Sequence, residues 1–344
     1  MKFVADKAIP FLEGLFDPYG IEVVFKDGRA ICQEDLLDAE VLITRTRTRC
    51  DARLLEGTGI RMIATATIGT DHIDMPWCAE HGIAIASAPG CNAGGVMDYV
   101  FSSLYGIASR KAIRLDGVPF GIVGVGHVGS KVEQMARKLG FEVLLNDPPR
   151  EAAEGPDGFC SLEYLLAHAG IVTLHTPLND ETRGLADASF FAQMRPETIF
   201  INASRGEVVD EEALMEAMPK LGAVCLDTWC NEPHVNRKLM DRVDIATPHV
   251  AGYSYQGKQN GTAAVVRAIA RRYGLGALLD WFPATGGPED EAIILDVAGK
   301  NQGEIAALFQ YNYPVFTDDF MFRLDPGGFE RIRAAYHYRR EFYI

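Results

Sequence analysis

The clearest indication of the fold is the segment Gly121-Ile122-Val123-Gly124-Val125-Gly126-His127-Val128-Gly129. Its short apolar run is typical of a buried strand, and the pattern Gly-x-Gly-x-x-Gly follows directly. The first glycine permits a tight turn, the second lets the backbone approach a pyrophosphate, and the third lets helix and strand pack closely. The phosphates then meet free N–H groups at the start of a helix. We therefore predict a dinucleotide site built by Gly124, Gly126, His127, Val128 and Gly129.

A carboxylate closes the next expected strand. Asp147 ends the run Leu144-Leu145-Asn146-Asp147, about twenty residues beyond the turn. A carboxylate here can accept hydrogen bonds from ribose hydroxyls, and it would repel a 2′-phosphate. The spacing therefore favours NAD over NADP. The alternative is a glycine-rich surface turn followed by an Asp that merely ends a strand.

Strand-like and helix-like stretches alternate in two series along the chain. The expected strands are Lys2–Ala5, Ile21–Phe25, Val41–Thr44, Met62–Ala66, Ile83–Ser87, Phe120–Val125, Val143–Asn146, Ile171–His175, Ile199–Asn202, Ala223–Leu226 and Ile245–Ala246. The expected helices run from a cap at Asn92 to about Arg110, and over Val128–Leu139 (ended by Gly140), Leu162–His168, Glu211–Met218 and Gly257–Tyr273. This order predicts an α/β protein with two parallel sheets, each covered by helices. A linker is expected at residues 281–288.

Net charge, cysteine spacing and the length of the apolar stretches limit the kinds of protein that this chain can be. The 344 residues carry a net charge of -14, which disfavours nonspecific binding to nucleic acid or acidic membranes. The seven cysteines contain no Cys-x-x-Cys pair, which indicates free thiols and no metal site. The most apolar long stretch, around Val96 to Ala108, contains Asp98 and is too short to span a bilayer. We expect a soluble cytoplasmic protein whose anionic ligands need a local cluster of cationic side chains.

Three side chains suited to acid–base chemistry follow expected strands. Arg205 follows Ile199–Asn202, and its guanidinium can grip a carboxylate with paired donors. His249 follows another strand, and an imidazole can take and return a hydroxyl proton near neutral pH. Glu232 lies in a Trp-x-x-Glu-Pro loop, where a carboxylate could orient that ring. The alternatives are a surface salt bridge for Arg205 and solvated side chains for the other two.

The segment Thr44-Arg45-Thr46-Arg47-Thr48-Arg49 follows a strand end. If it stays extended, alternation places Arg45, Arg47 and Arg49 on one side, as a funnel for an anionic substrate. The alternative is a solvated basic loop.

Several ordered landmarks together resemble the D-isomer-specific 2-hydroxyacid dehydrogenase family. They are Gly124-x-Gly126-x-x-Gly129, Asp147, His175-Thr176-Pro177, Asn202-x-Ser204-Arg205-Gly206, Asp227-x-Trp229-x-x-Glu232-Pro233 and Pro248-His249-x-Ala251-Gly252. The resemblance covers about residues 1–283. It implies that Arg205 binds substrate, that His249 is the acid–base and that Glu232 is its partner. It also implies two Rossmann-like or flavodoxin-like domains with a cleft between them.

A narrower resemblance is to a branch of this family that oxidises 4-phospho-D-erythronate. It rests on residues 64–74, 88–93 and 249–254, and on the tail down to Tyr338-Arg339-Arg340-Glu341-Phe342. It implies substrate contacts from Thr46, Thr67 and Tyr253, to which the basic segment adds Arg45. It places Thr176, Asp227 and Gly252 beside Asp147 at the cofactor.

The same resemblance implies three domains. A substrate-binding domain comprises residues 1–91 and 253–283, and an NAD-binding domain comprises residues 92–252. A small C-terminal α+β domain, residues 284–344, is expected to form a homodimer. The alternatives are a relative acting on 3-phosphoglycerate, D-lactate or glyoxylate, an NAD-sensing regulatory protein, and a structural oligomer that only retains the fold.

Overall fold

The computed structural model describes residues 1–284 and 291–344, which form two compact units. The first unit contains Met1–Asn92 and Tyr255–Glu291, and the central unit contains Ala93–Ser254 and Ala292–Ile344. The linker expected at residues 281–288 lies partly outside the described residues. The tail from residue 292 packs with the central unit, and its status as a third domain stays a prediction.

The predicted strands and helices occur in the predicted order, with further elements between and after them. The strands are β1 (Lys2–Asp6), β2 (Glu22–Lys26), β3 (Val41–Thr44), β4 (Met62–Thr65), β5 (Ala84–Ala86), β6 (Phe120–Val123), β7 (Val143–Asn146), β8 (Ile171–Leu174), β9 (Ile199–Asn202), β10 (Ala223–Leu226), β11 (Ile245–Ala246), β12 (Ile293–Ile294) and β13 (Phe342–Tyr343). The helices are α1 (Gln33–Leu36), α2 (Ala52–Leu55), α3 (Met75–Glu80), α4 (Ala93–Lys111), α5 (His127–Lys138), α6 (Pro148–Glu154), α7 (Leu162–His168), α8 (Ala188–Gln193), α9 (Glu211–Ala217), α10 (Arg237–Met240), α11 (Tyr255–Tyr273), α12 (Gln302–Asn312), α13 (Val315–Leu324) and α14 (Phe329–Ala334).

The first unit is built on a parallel sheet of order β2-β1-β3-β4-β5. Successive side chains of β3 point to opposite faces, and both faces are buried: Ile43 packs in a cluster with Val265 and Ile269 of α11, and Leu42 packs in a cluster with Leu36 on the other side. Burial on both faces is the reason that these strands read as continuous apolar runs. The strand order is that of flavodoxin-like doubly wound sheets.

The central unit is built on a six-stranded parallel sheet of order β11-β10-β9-β8-β6-β7. Neighbouring residues of β6, Ile122 and Val123, belong to apolar clusters on opposite faces of this sheet. The chain reverses its winding direction between β6 and β8, which lie side by side. Ligands of such sheets bind at the carboxyl ends of the strands, at this switch point. The predicted α/β class is therefore confirmed.

Two local predictions are wrong. Asn92 does not cap α4 through its side chain, because its buried Oδ1 has no hydrogen-bond partner among the residues that the structure describes. The basic segment after β3 is not extended, since the Thr48 amide donates to the Arg45 carbonyl at 3.2 Å and closes a turn. The Thr48 hydroxyl fixes this turn by donating to the Gly28 carbonyl at 2.8 Å. Arg45 is consequently buried while Arg49 is exposed, so the three arginines do not share one side.

The C-terminal segment, residues 292–344, is anchored to the central unit at several points. The Asp319 carboxylate on α13 accepts from the Ala246 amide of β11 at 2.7 Å. Because β11 is an edge strand, this bond satisfies a backbone donor at the edge of the sheet. Asp98 of α4 accepts from the Phe342 amide of β13 at 3.0 Å. Tyr105 of α4 packs edge-to-face on Phe309 of α12, with ring centroids 5.1 Å apart. The segment is therefore an integral part of this unit's core.

Within the described ranges, none of the helices combines the length and the apolar character that crossing a bilayer requires.

Candidate active site

The glycine turn after β6 has the shape that a dinucleotide requires. A Cβ on Gly124, whose φ is +86°, would lie 2.8 Å from the His175 carbonyl carbon, and one on Gly129 would lie 2.1 Å from the Gly124 oxygen. Both positions therefore need glycine for packing. A Cβ on Gly126 would meet open space, so this position leaves room for a ligand rather than for a neighbouring side chain. Because α5 begins at His127, its free N–H groups face the same turn.

Asp147 lies directly beside the turn. Its Oδ2 accepts from the Val125 amide at 2.6 Å, and its Oδ1 accepts from the Arg150 amide at 3.0 Å and caps α6. The first bond fixes the carboxylate against the turn. This geometry is the one expected for a carboxylate that binds the ribose.

Thr176 follows β8 at the switch point of the sheet. Its hydroxyl oxygen is buried and has no hydrogen-bond partner in the described part of the chain. The preceding His175 is held inside by Thr173, with 3.1 Å between Oγ1 and Nε2, and burial lowers its pKa to about 3. An orphaned buried hydroxyl is rare in native proteins unless a ligand satisfies it. The residues around the turn thus fit a dinucleotide cofactor.

Changing Asp147 to asparagine tests the charge while keeping an oxygen for the helix cap. We expect the preference for NAD over NADP, measured as a ratio of dissociation constants by titration, to fall about 10-fold, because repulsion of the 2′-phosphate is lost (~1.4 kcal/mol). Asp187→Asn is the matched control, since Asp187 caps α8 by accepting from the Phe190 amide. An unchanged ratio in Asp147→Asn would remove Asp147 from cofactor selection.

The loop after β9 presents Arg205. Asn202 organises it, since its Oδ1 accepts from the Ser204 hydroxyl at 2.7 Å and its Nδ2 donates to the Arg205 carbonyl at 2.9 Å. Gly206 is required next, because a Cβ there would lie 2.0 Å from the Trp229 carbonyl carbon. With glycine at this position, the backbone of the Arg205 loop lies directly against the backbone of the loop that carries Glu232.

Asp227, at the end of β10, organises the His249 loop. Its Oδ1 accepts from the Val250 amide at 2.8 Å and its Oδ2 from the Ala251 amide at 2.9 Å, while the His249 amide donates to its carbonyl at 2.7 Å. Burial raises the pKa of the Asp227 carboxyl. His249 itself has a left-handed backbone, with φ of +55°, which these bonds hold in place. Gly252 lies in the same turn, where its carbonyl accepts from the Ser254 amide.

Glu232 and His249 form a direct pair, with 2.8 Å between Oε2 and Nδ1. The other carboxylate oxygen accepts from the Trp229 amide at 3.0 Å. Burial opposes ionisation of Glu232, but the bonds from His249 and Trp229 outweigh it and lower the pKa of the carboxyl. An ionised Glu232 fixes the ring through Nδ1 and leaves Nε2 to exchange a proton with a ligand.

The remaining predicted substrate contacts are distributed over the two units. In the first unit, Thr46 is exposed in the turn after β3, and the Thr67 hydroxyl lies 2.7 Å from the Thr65 hydroxyl. Arg45 donates from Nη1 to the Ala8 carbonyl at 3.4 Å. Tyr253 belongs to the central unit and follows the His249 turn, where its amide donates to the Val250 carbonyl. Their contact with substrate stays a prediction.

Comparison with known proteins connects this geometry to a family. Residues 105–251 match the D-isomer specific 2-hydroxyacid dehydrogenase, NAD binding domain. An erythronate-4-phosphate dehydrogenase of Bacteroides fragilis (strain YCH46) is 39% identical, over 99% of this chain and 97% of its own. The chain belongs to the erythronate-4-phosphate dehydrogenase family. Another relative of that name, from Azotobacter vinelandii, is 43% identical over 97% of this chain and 89% of its own.

Solved structures agree with the fold. A protein of Thermus thermophilus superposes with a TM-score of 0.69 and 26% identity, covering 80% of this chain and 97% of its own. An NAD+-bound 3-phosphoglycerate dehydrogenase of Entamoeba histolytica gives a TM-score of 0.68 at 23% identity, covering 83% and 99%. The second likeness supports the fold alone. With the family domain over residues 105–251, NAD is the cofactor of this chain.

Proposed function

We propose that this chain oxidises 4-phospho-D-erythronate to 2-oxo-3-hydroxy-4-phosphobutanoate with NAD, as a step of pyridoxal 5′-phosphate (vitamin B6) biosynthesis. The observation that carries the proposal is the Glu232–His249 pair, at 2.8 Å, on loops next to Arg205. The family relationship, at about 40% identity along nearly the whole chain, supports the choice of substrate.

Three side chains of the site have separate roles in the reaction. The Arg205 guanidinium binds the substrate carboxylate and orients the neighbouring C2 hydroxyl. Nε2 of His249 accepts the proton of that hydroxyl, so that the electrons of the O–H bond form the carbonyl as hydride departs from C2. The Glu232 carboxylate stabilises the resulting imidazolium through Nδ1. Bound NAD supplies the hydride acceptor.

Formation of reduced nicotinamide tests the substrate. The purified protein is assayed by absorbance with NAD and, in parallel, 4-phospho-D-erythronate, 3-phosphoglycerate, D-lactate and D-erythronate, with an acceptor to remove the product. We expect the highest kcat/KM with 4-phospho-D-erythronate. Preference for another acid would keep the mechanism and overturn the substrate, and no turnover with any acid would favour the NAD-sensing regulatory protein.

We also propose a cytoplasmic homodimer formed through the C-terminal segment. Four large apolar side chains of α12 and α13 are exposed: Tyr311, Phe320, Met321 and Leu324. Phe320 and Leu324 are one helical turn apart, so they lie on one face of α13. An apolar cluster of this kind marks an interaction surface.

Charge placed on this surface should separate the subunits. We expect light scattering to give a dimer mass for the unmodified chain and a mass near that of one chain for Phe320→Glu, because a carboxylate is costly to bury. Leu37→Glu, at an exposed leucine of the first unit, is the control and should stay dimeric. A dimer that persists in Phe320→Glu would exclude this surface.

A further inference from the structure

The end of the C-terminal segment lies along the turn that follows His249. Ser254 forms a β-bridge with Arg339, and its hydroxyl donates to Glu341 at 2.7 Å. The Tyr253 ring packs edge-to-face on Tyr336, with centroids 5.7 Å apart. This part of the tail is therefore a wall of the acid–base site within the central unit.

Arg333, on α14, is a cation of this tail that packs on Tyr253, next to the His249 turn. Its guanidinium carbon lies 5.7 Å from the centroid of the Tyr253 ring and 5.4 Å from that of Phe329. Only 11% of its side chain is exposed. Nη1 contacts Glu330 at 3.2 Å, whereas Nε is buried without a hydrogen-bond partner among the described residues.

A buried guanidinium with an unused donor is costly unless it serves a ligand or a partner. Burial opposes the charge of Arg333, but the negative surroundings, in which Glu232, Glu330 and Asp227 contribute, raise its pKa. Arg333 is thus a fixed cation within electrostatic reach of the Glu232–His249 pair. Neighbouring arginines are committed elsewhere: Arg339 pairs with Asp318 at 2.6 Å, and Arg331 pairs with Asp325.

We propose that Arg333 binds the phosphoryl end of the substrate and thereby selects phosphorylated hydroxy acids. This assignment rests on the proposed function, in which the substrate carries two anionic ends. Arg205 takes the carboxylate next to C2, so the phosphate needs a second cation near the His249 turn. Arg333 offers donors in the planar arrangement that suits phosphate. The neighbouring rings hold it in place, which reduces the entropy lost on binding.

Arg333→Gln, Arg333→Lys and the matched control Arg331→Gln, on the same helix but exposed, test the assignment. We expect Arg333→Gln to lower kcat/KM for 4-phospho-D-erythronate about 100-fold, as for loss of a charge-assisted hydrogen bond to an anion. The kcat/KM for D-erythronate should fall far less, because this acid has no phosphate to bind. Arg333→Lys should lie between, and Arg331→Gln should match the unmodified protein. Thermal unfolding and the dissociation constant of NAD check that each variant is folded.

Equal losses for both substrates, or none for either, would overturn the assignment. Calorimetric titration of the NAD-loaded protein with inorganic phosphate separates this failure from that of the proposed function. Phosphate bound by the unmodified protein and at least about 10-fold more weakly by Arg333→Gln supports the anion site even without turnover of 4-phospho-D-erythronate. Normal turnover with unchanged phosphate affinity in Arg333→Gln would leave the function standing and reject Arg333.

Discussion

Replacing His249 by alanine should lower kcat for 4-phospho-D-erythronate by about 10²–10⁴-fold, the range typical of a lost general base. The effect is this large because Nε2 of His249 is the group assigned to receive the hydroxyl proton, while Glu232 holds the ring at 2.8 Å through Nδ1. The dissociation constant of NAD, measured by fluorescence titration, should change little, since the glycine turn after β6 keeps its own bonds.

His168→Ala is the control, because His168 is exposed on α7 and its Nδ1 lies 2.7 Å from the Tyr164 carbonyl oxygen of the same helix. It should retain the kcat of the unmodified protein. Near-normal kcat in His249→Ala would contradict the assignment of the acid–base.

Glu232→Gln tests the partner of the same imidazole. The lowered pKa of Glu232 keeps its carboxylate charged at neutral pH, and this charge stabilises the imidazolium that forms when the hydroxyl proton is transferred. Removing the charge should therefore lower kcat at neutral pH, while the dissociation constant of NAD stays that of the unmodified protein. An unchanged kcat would separate Glu232 from the acid–base function.

Replacing Arg205 is expected to have the second large effect. Arg205→Gln should lower kcat/KM about 10³-fold, because the charge that binds the carboxylate and polarises the forming carbonyl is lost. Arg205→Lys should remain at least about 10-fold impaired, since an ammonium cannot supply the paired donors of a guanidinium. Steady-state kinetics at saturating NAD measure both values.

Arg137→Gln is the comparison variant, because Arg137 lies on α5 in an exposed pair with Glu133. It should behave as the unmodified protein. Full activity in Arg205→Lys would show that a simple positive charge suffices and would reject the paired-donor role.

The sequence predicted the sheets and the proximity of Glu232 to His249, because both follow from local patterns. Strands β3, β7, β9, β10 and β11 have the predicted bounds, since each is an apolar run that ends at, or directly before, a polar or small residue. Arg205, Glu232 and His249 each follow a parallel strand, and the ends of such strands meet at one edge of the sheet. The proximity of these three side chains could therefore be predicted from the sequence.

Features that depend on contacts between distant segments were not predictable in this way. The turn at Arg45 is fixed by the hydrogen bond from the Thr48 hydroxyl to the Gly28 carbonyl, and no local sequence pattern predicts this bond. Asp227 organises the His249 loop through hydrogen bonds that join the end of β10 to the loop after β11. Arg333 was missed because the tail carries no catalytic motif, and only packing on Tyr253 brings it to the site.

The fate of the hydrogen atom at C2 of the substrate tests the proposed oxidation most directly. The protein is incubated with NAD and 4-phospho-D-erythronate that carries deuterium at C2, and the reduced nicotinamide is analysed by mass spectrometry. We expect the deuterium to appear in the reduced nicotinamide and His249→Ala to almost abolish this transfer. Absence of reduced nicotinamide, or reduction without deuterium, would contradict oxidation at C2.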